Sequence, residues 1–138
     1  MNCQLDHIGY ITNDIKETAK SFFFLGYKAE ATINDNTQRT MICILKKKGS
    51  TDIELVQPYE DNKTMQKMLK HGVSPYHTCY KVDDIIAAYE EMLDNEFTPL
   101  FKPVMAPAFN NRKICYFWKS DIGLIELVEE QHNFKALD

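Results

Sequence analysis

No apolar run in this sequence approaches the roughly 20 residues that a membrane-crossing helix needs. The first residues lack the charged-then-apolar pattern of a secretory signal. Excess charge is also lacking. The net charge of −4 gives no reason to expect a nucleic acid or an anionic membrane as partner. Lys46-Lys47-Lys48 runs straight into Gly49-Ser50 and reads as a solvated hairpin end. The four cysteines, Cys3, Cys43, Cys79 and Cys115, lie far apart and mostly within apolar strand-like runs. That spacing excludes a disulfide framework and suits packed, reduced thiols, so a cytoplasmic location is expected. Arginine is nearly absent: only Arg39 and Arg112 occur. No low-complexity segment interrupts the chain. What remains is 138 residues with 44% hydrophobic and 12% aromatic content, enough for one sizeable core and a single domain.

The chain repeats itself. Asp6-His7-Ile8-Gly9-Tyr10-Ile11-Thr12-Asn13-Asp14-Ile15 aligns without a gap on Tyr76-His77-Thr78-Cys79-Tyr80-Lys81-Val82-Asp83-Asp84-Ile85. Ile53-Glu54-Leu55-Val56 returns as Ile125-Glu126-Leu127-Val128. Each half opens with a His in a strand-like run and closes with a Glu in another.

Periodicity fills in the elements between. Residues 4–12 read as a strand, Asn13-Asp14 as an N-cap, and 15–25 as an amphipathic helix with Gly26 at its C′ position. Strands follow at about 27–33, 39–46 and 52–57. Residues 58–75 form a connector with a short helix at 64–71, stopped by Gly72. The pattern then restarts: a strand at 76–82, a cap at Asp83-Asp84, a helix at 85–95, and strands near 97–101, 113–119 and 124–129. The stretch 102–112, with Pro103 and Pro107, is expected to be an irregular loop, and the polar tail 130–138 to be loose. The expected fold is α+β: two β-α-β-β-β modules, at about 4–57 and 76–129, building one curved mixed sheet.

A single Glu in an alternating strand is ordinarily a solvent-facing residue, and a single His among apolar neighbours is ordinarily a hydrogen-bonded core residue. Here both recur at matching places. The His-to-Glu separation is 47 residues in the first half (54 − 7) and 49 in the second (126 − 77). Two modules curving towards each other bring His7, Glu54, His77 and Glu126 to one point. Two imidazoles and two carboxylates suit one divalent ion, with Ni, Co, Zn, Mn and Fe all compatible. His71 and His132 lie in a helix end and the tail and receive no role.

These residues carry a resemblance to the vicinal oxygen chelate superfamily, the group of glyoxalase I, methylmalonyl-CoA epimerase and the bleomycin-resistance proteins. It spans about residues 5–129 and rests on the His-bearing opening strands with their Asp caps and on the two Ile-Glu-Leu-Val closing strands. It implies a partly open barrel around a metal held by His7, Glu54, His77 and Glu126, with Glu54 or Glu126 as catalytic base. The implied activity is that of an isomerase or lyase, methylmalonyl-CoA epimerase-like or lactoylglutathione lyase-like, which removes a proton next to a carbonyl and stabilises the resulting enediolate. The implied substrate is a small carbonyl compound, such as a thioester or thiol adduct, and the implied assembly a homodimer joined through the first strands. A non-catalytic, bleomycin-resistance-like binding protein is the alternative.

The chain departs from both enzyme patterns. Thr37, beside Gln38, stands where the epimerases carry a catalytic glutamate, with Asp35 two residues away. Ser120-Asp121-Ile122-Gly123 replaces the Asp-Pro-Asp-Gly turn of the glyoxalases. Arg112, Asn111 and Gln38 are the candidates for binding substrate. Tyr10 is a further candidate for lining the cleft; Cys79 shares the face of His77 and either lines the interior or, as expected of a buried thiol, simply packs.

Overall fold

The computed structural model describes residues 1–131. His132 and most of the polar tail lie outside the described residues. The first half runs β1 (Cys3–Ile11), α1 (Ile15–Phe24), β2 (Lys28–Asp35), β3 (Thr40–Lys46) and β4 (Asp52–Pro58). A short helix, α2 (Lys63–Leu69), connects to β5 (Ser74–Val82), α3 (Ile85–Asp94), β6 (Thr98–Pro99), β7 (Val104–Ala106), β8 (Arg112–Lys119) and β9 (Gly123–Glu129).

The caps lie where the sequence places them. The Asp14 carboxylate accepts from the Glu17 backbone N–H, and Asp84 accepts from those of Ile86 and Ala87. Gly26 follows α1 with φ +97°, a left-handed conformation that glycine adopts without steric cost.

The nine strands among the described residues join one open, curved sheet ordered β2-β3-β4-β1-β5-β9-β8-β6, with β7 also paired to β8. β1 is parallel to β4, and β5 is parallel to β9. The halves meet where β1 and β5 run antiparallel, with Gly9 opposite His77. Both edges of β1 are therefore occupied within the chain. A dimer through the first strands, as expected, would have to join through their side chains, because β1 has no free backbone edge to offer.

The second half departs from the expected three strands. Pro99 and Pro103 remove backbone donors, so the expected strand at 97–101 shrinks to Thr98–Pro99. Within the expected loop, Val104–Ala106 pairs with β8, and Pro107–Phe109 forms one 3-10 turn.

The helices and the sheet enclose three apolar clusters. Ile15, Ala19, Ile53 and Leu55 meet beneath α1, and Ile85, Met92, Phe117, Ile125 and Leu127 beneath α3. On the other face, Ile42, Val56, Phe109, Ile114 and Val128 line the concave interior. The closing strands are thus buried on both faces. Ile53 and Leu55 pack under α1 while Glu54 and Val56 point inward, and β9 repeats the arrangement. Among the described residues no helix is long and apolar enough to cross a membrane. Cys43, Cys79 and Cys115 are free and buried, and Cys3 is free and exposed.

Candidate metal centre

The four strands at the middle of the sheet each deliver one polar side chain to the concave face: His7 from β1, Glu54 from β4, His77 from β5 and Glu126 from β9. All four residues are at most 4% exposed. The ligand atoms of the four lie within 4.8 Å of one another. The two Nε2 atoms are 3.1 Å apart. Glu126 Oε1 lies 3.1 Å from each of them. Glu54 sits further out, 3.3 Å from His7 Nε2 and 3.9 Å from His77 Nε2.

Burial alone would push both carboxyls up. Glu126 is nevertheless pulled down to about 2, because the His7 and His77 imidazoles beside it outweigh the desolvation. Glu54 goes the other way. Desolvation and the Glu126 charge raise it, and the more distant imidazoles compensate only in part. Burial opposes protonation of His7 as well, but the Glu54 charge and the hydrogen bond that His7 donates to Asp6 hold it well above its usual range.

The arrangement fits a divalent cation on two counts. Two nitrogen and two oxygen donors converge from four strands of one chain. Glu54 Oε2 and Glu126 Oε1 are buried and make no hydrogen bond among the described residues. Such oxygens are costly to leave unsatisfied, and a bound cation satisfies both.

Several residues that position these groups carry no role in the sequence reading. Asp6 Oδ2 lies 2.8 Å from His7 Nδ1, which places a proton on Nδ1 and turns Nε2 towards the cluster. Gly9 lies beneath the His77 ring. A Cβ there would sit 2.1 Å from His77 Cε1, so only glycine fits. Phe109 stacks on His7 with ring centroids 5.4 Å apart, and Tyr76 and Tyr116 meet His77 edge-on. Burial keeps both tyrosine hydroxyls well above their usual range and therefore neutral. The Asp6-His7 and Gly9 signals stand in the opening repeat, where Asp6 and Gly9 align with Tyr76 and Cys79. Phe109 lies in the expected loop and has no counterpart in the first half.

Two cavities reach the cluster. The first, about 240 Å³, touches Glu54 and Glu126 and is lined largely by apolar side chains, with Gln38 near its far end. The second, about 300 Å³, touches His7 and Glu54 and is lined by Asp6, Lys46 and Arg112 among others. Phe109 borders both.

The other candidates divide. Arg112 lines the second cavity, with its guanidinium donating to the carbonyls of Phe109 and Glu129. Asn111 is exposed and lines neither cavity. It and Asn110 turn the chain with φ of +61° and +55°, the conformation that asparagine tolerates best among non-glycine residues. Tyr10 packs against Phe22 on the α1 side, because it is one residue out of phase with His7 and Gly9. Cys79 is fully buried, and burial raises its thiol well above the usual range.

The fold recurs in solved structures. A hypothetical protein of Bacillus halodurans C-125 superimposes with TM-score 0.84 at 22% identity, covering 98% of this chain and 99% of the other. The methylmalonyl-CoA epimerase of Mycobacterium tuberculosis gives 0.82 at 23% identity, covering 96% and 91%. A Streptomyces coelicolor methylmalonyl-CoA epimerase variant in complex with 2-nitronate-propionyl-CoA gives 0.79 at 20% identity, covering 94% and 98%. A comparison with curated protein sequences finds no match. Residues 6–116, which contain the opening His of both halves, match a sequence family, and by that match the chain belongs to the glyoxalase/bleomycin resistance protein/dioxygenase superfamily.

Proposed function

We propose that this chain is a metal-dependent isomerase or lyase that removes a carbon-bound proton next to a carbonyl, in the manner of the methylmalonyl-CoA epimerase-like or lactoylglutathione lyase-like enzymes. One observation carries the reading. Four buried ligand residues from four strands converge with two carboxylate oxygens unpartnered. His7, His77, Glu54 and Glu126 would hold one divalent ion, whose chemistry when bound is to stabilise negative charge developing on a substrate oxygen.

The protein's own groups divide the remaining work. Glu126, pulled low by two imidazoles, stays ionised as an anchor. Glu54 has the higher proton affinity of the pair, so it takes the substrate proton. Tyr76 and Tyr116 stay protonated and offer hydroxyls along the first cavity. Phe109 and the apolar walls keep bulk water from the reacting carbon. Thr37 is consistent with Glu54 serving as base, since the epimerase-type glutamate is absent from that turn.

The functional unit we propose is a homodimer carrying a complete site in each chain. Co-expressing His7→Ala with Glu126→Ala is then expected to regain no site.

Deuterium exchange from solvent tests the chemistry, with methylmalonyl-CoA and the methylglyoxal–glutathione adduct as first substrates. The expected outcome is exchange that needs a divalent ion and disappears in Glu54→Gln. Tight capture of a small molecule by metal-loaded protein, with no exchange into any carbonyl compound, would favour the non-catalytic binding alternative.

A further inference from the structure

The first cavity has a second polar end, remote from the metal ligands. β3 and β4 pair antiparallel, with Ile44 opposite Glu54, Ile42 opposite Val56 and Thr40 opposite Pro58. From the level of Glu54 to that of Thr40 is four strand positions, or about 13 Å at about 3.3 Å per residue. The stretch between is apolar, with Ile42, Val56, Met65 and Ile114 among its walls. At the far end stand Asp35, Gln38, Thr40 and Asn62.

Two features mark this end as built for a ligand. Thr40 is 2% exposed, and its hydroxyl has no hydrogen-bond partner among the described residues. An unmet buried hydroxyl is costly, and a ligand group placed beside it would recover that cost. Asp35, also 2% exposed, is locked into the same wall, its Oδ1 accepting from the backbone N–H groups of Thr37 and Gln38 at 3.1 and 2.9 Å.

The charge is one-sided as well. Asp35, Glu54 and Glu126 line this cavity, and among the described residues no Lys, Arg or His does. Arg39 is engaged by Asp61 at 2.6 Å, and Arg112 lines the other cavity.

We propose that the Asp35–Thr40 end is a subsite for the remote head group of an elongated substrate, and that it accepts an N–H-bearing group, amide or ammonium, and rejects a carboxylate. The inference rests on reading the Glu54–Glu126 end as the reacting end, but the head-group preference belongs to the subsite alone. A substrate matching both ends carries a carbonyl, an apolar waist and a hydrogen-bond donor. An anion brought beside Asp35 would meet like charge with no counter-ion.

The experiment uses full-length protein with ¹³C-methyl methionine, because Met65 and Met68 both line the cavity. Hexanamide, hexylamine and hexanoate are titrated into chelator-treated and zinc-loaded samples, and the two methyl resonances are followed. Hexanamide and hexylamine are expected to saturate the shifts, with hexanoate at least about tenfold weaker, a difference of about 1.4 kcal/mol. Thr40→Val should erase the preference for the amide over the carboxylate by half or more, and Thr40→Ser should keep it. Hexanoate binding as tightly as hexanamide, no shift with any of the three, or full preference surviving in Thr40→Val would overturn the subsite. The chelator-treated arm reads the preference without metal, so a failed metal site and a failed subsite give different results.

Discussion

His7 and His77 occupy equivalent places in β1 and β5, yet the residues around them differ. Asp6 precedes His7 and holds its Nδ1 at 2.8 Å. Tyr76 precedes His77, whose Nδ1 is buried with no hydrogen bond among the described residues. The second imidazole is located by packing instead: Gly9 lies beneath it, and Tyr76 and Tyr116 flank it. One copy of the repeat orients its ligand by charge and the other by shape. The carboxylates are unequal too, with Glu126 drawn low between both rings and Glu54 raised. A duplicated motif thus yields an asymmetric cluster, with one carboxyl held low and the other raised.

The steepest test of this contrast is Gly9→Ala. The added Cβ cannot coexist with the His77 ring, so a loss of about 3 kcal/mol in stability is expected together with loss of stoichiometric metal binding. Chemical denaturation and elemental analysis measure the two effects. Unchanged metal content would show that shape does not hold His77.

Asp6→Asn should come next, weakening metal affinity by about 10–100-fold through loss of the charged partner to Nδ1. Tyr76→Phe, at the matching position, should cost far less in a competitive chelator titration. Equal losses in the two variants would erase the distinction between charge and shape.

A third test is pH. In the metal-free protein His7 is raised well above 6.5, so its stabilising contribution is complete below pH 6.5 and is lost as pH climbs through the elevated value. The Tm of chelator-treated wild type should therefore fall as pH rises above 6.5, and more shallowly in Asp6→Asn. Metal-loaded protein should trend the opposite way, because the ion displaces the His7 proton. A metal-free Tm that climbs through this range would contradict the assignment.

The smallest effect concerns the helix ends. Gly26 closes the first helix at φ +97°, and the equivalent Glu96 closes the second at φ +68°. Glu96→Gly should add about 1 kcal/mol and Gly26→Ala should remove a similar amount, read by thermal melts.

Much of this molecule was legible in its residues. Asp14 and Asp84 announced the helix starts, and the two Ile-Glu-Leu-Val runs announced the closing strands. The second half was less legible. Its edge is broken by Pro99 and Pro103, and β7 is three residues long, too short for any alternation to register. Asn111 looked like a binding residue because it lies beside Arg112, but its chemistry serves the turn. Tyr10 was misread because a one-residue shift along a strand reverses the face it occupies.

What the sequence by itself determined is the repeat and the parity within it: His7 and Gly9 share a face of one strand, Glu54 and Val56 share a face of another, and the second half copies the pattern. Alternation assigns residues to faces but does not say which face is sealed from water. Tertiary structure decided that, by curling the central strands so that both faces of β4 and β9 are buried and four polar side chains meet in a buried interior. It also decided the asymmetry, since the gap under His77, the Phe109 stack and the unpartnered Thr40 hydroxyl all depend on segments distant in the chain. Distances between such segments are set by packing across the sheet, and no local spacing in the chain records them.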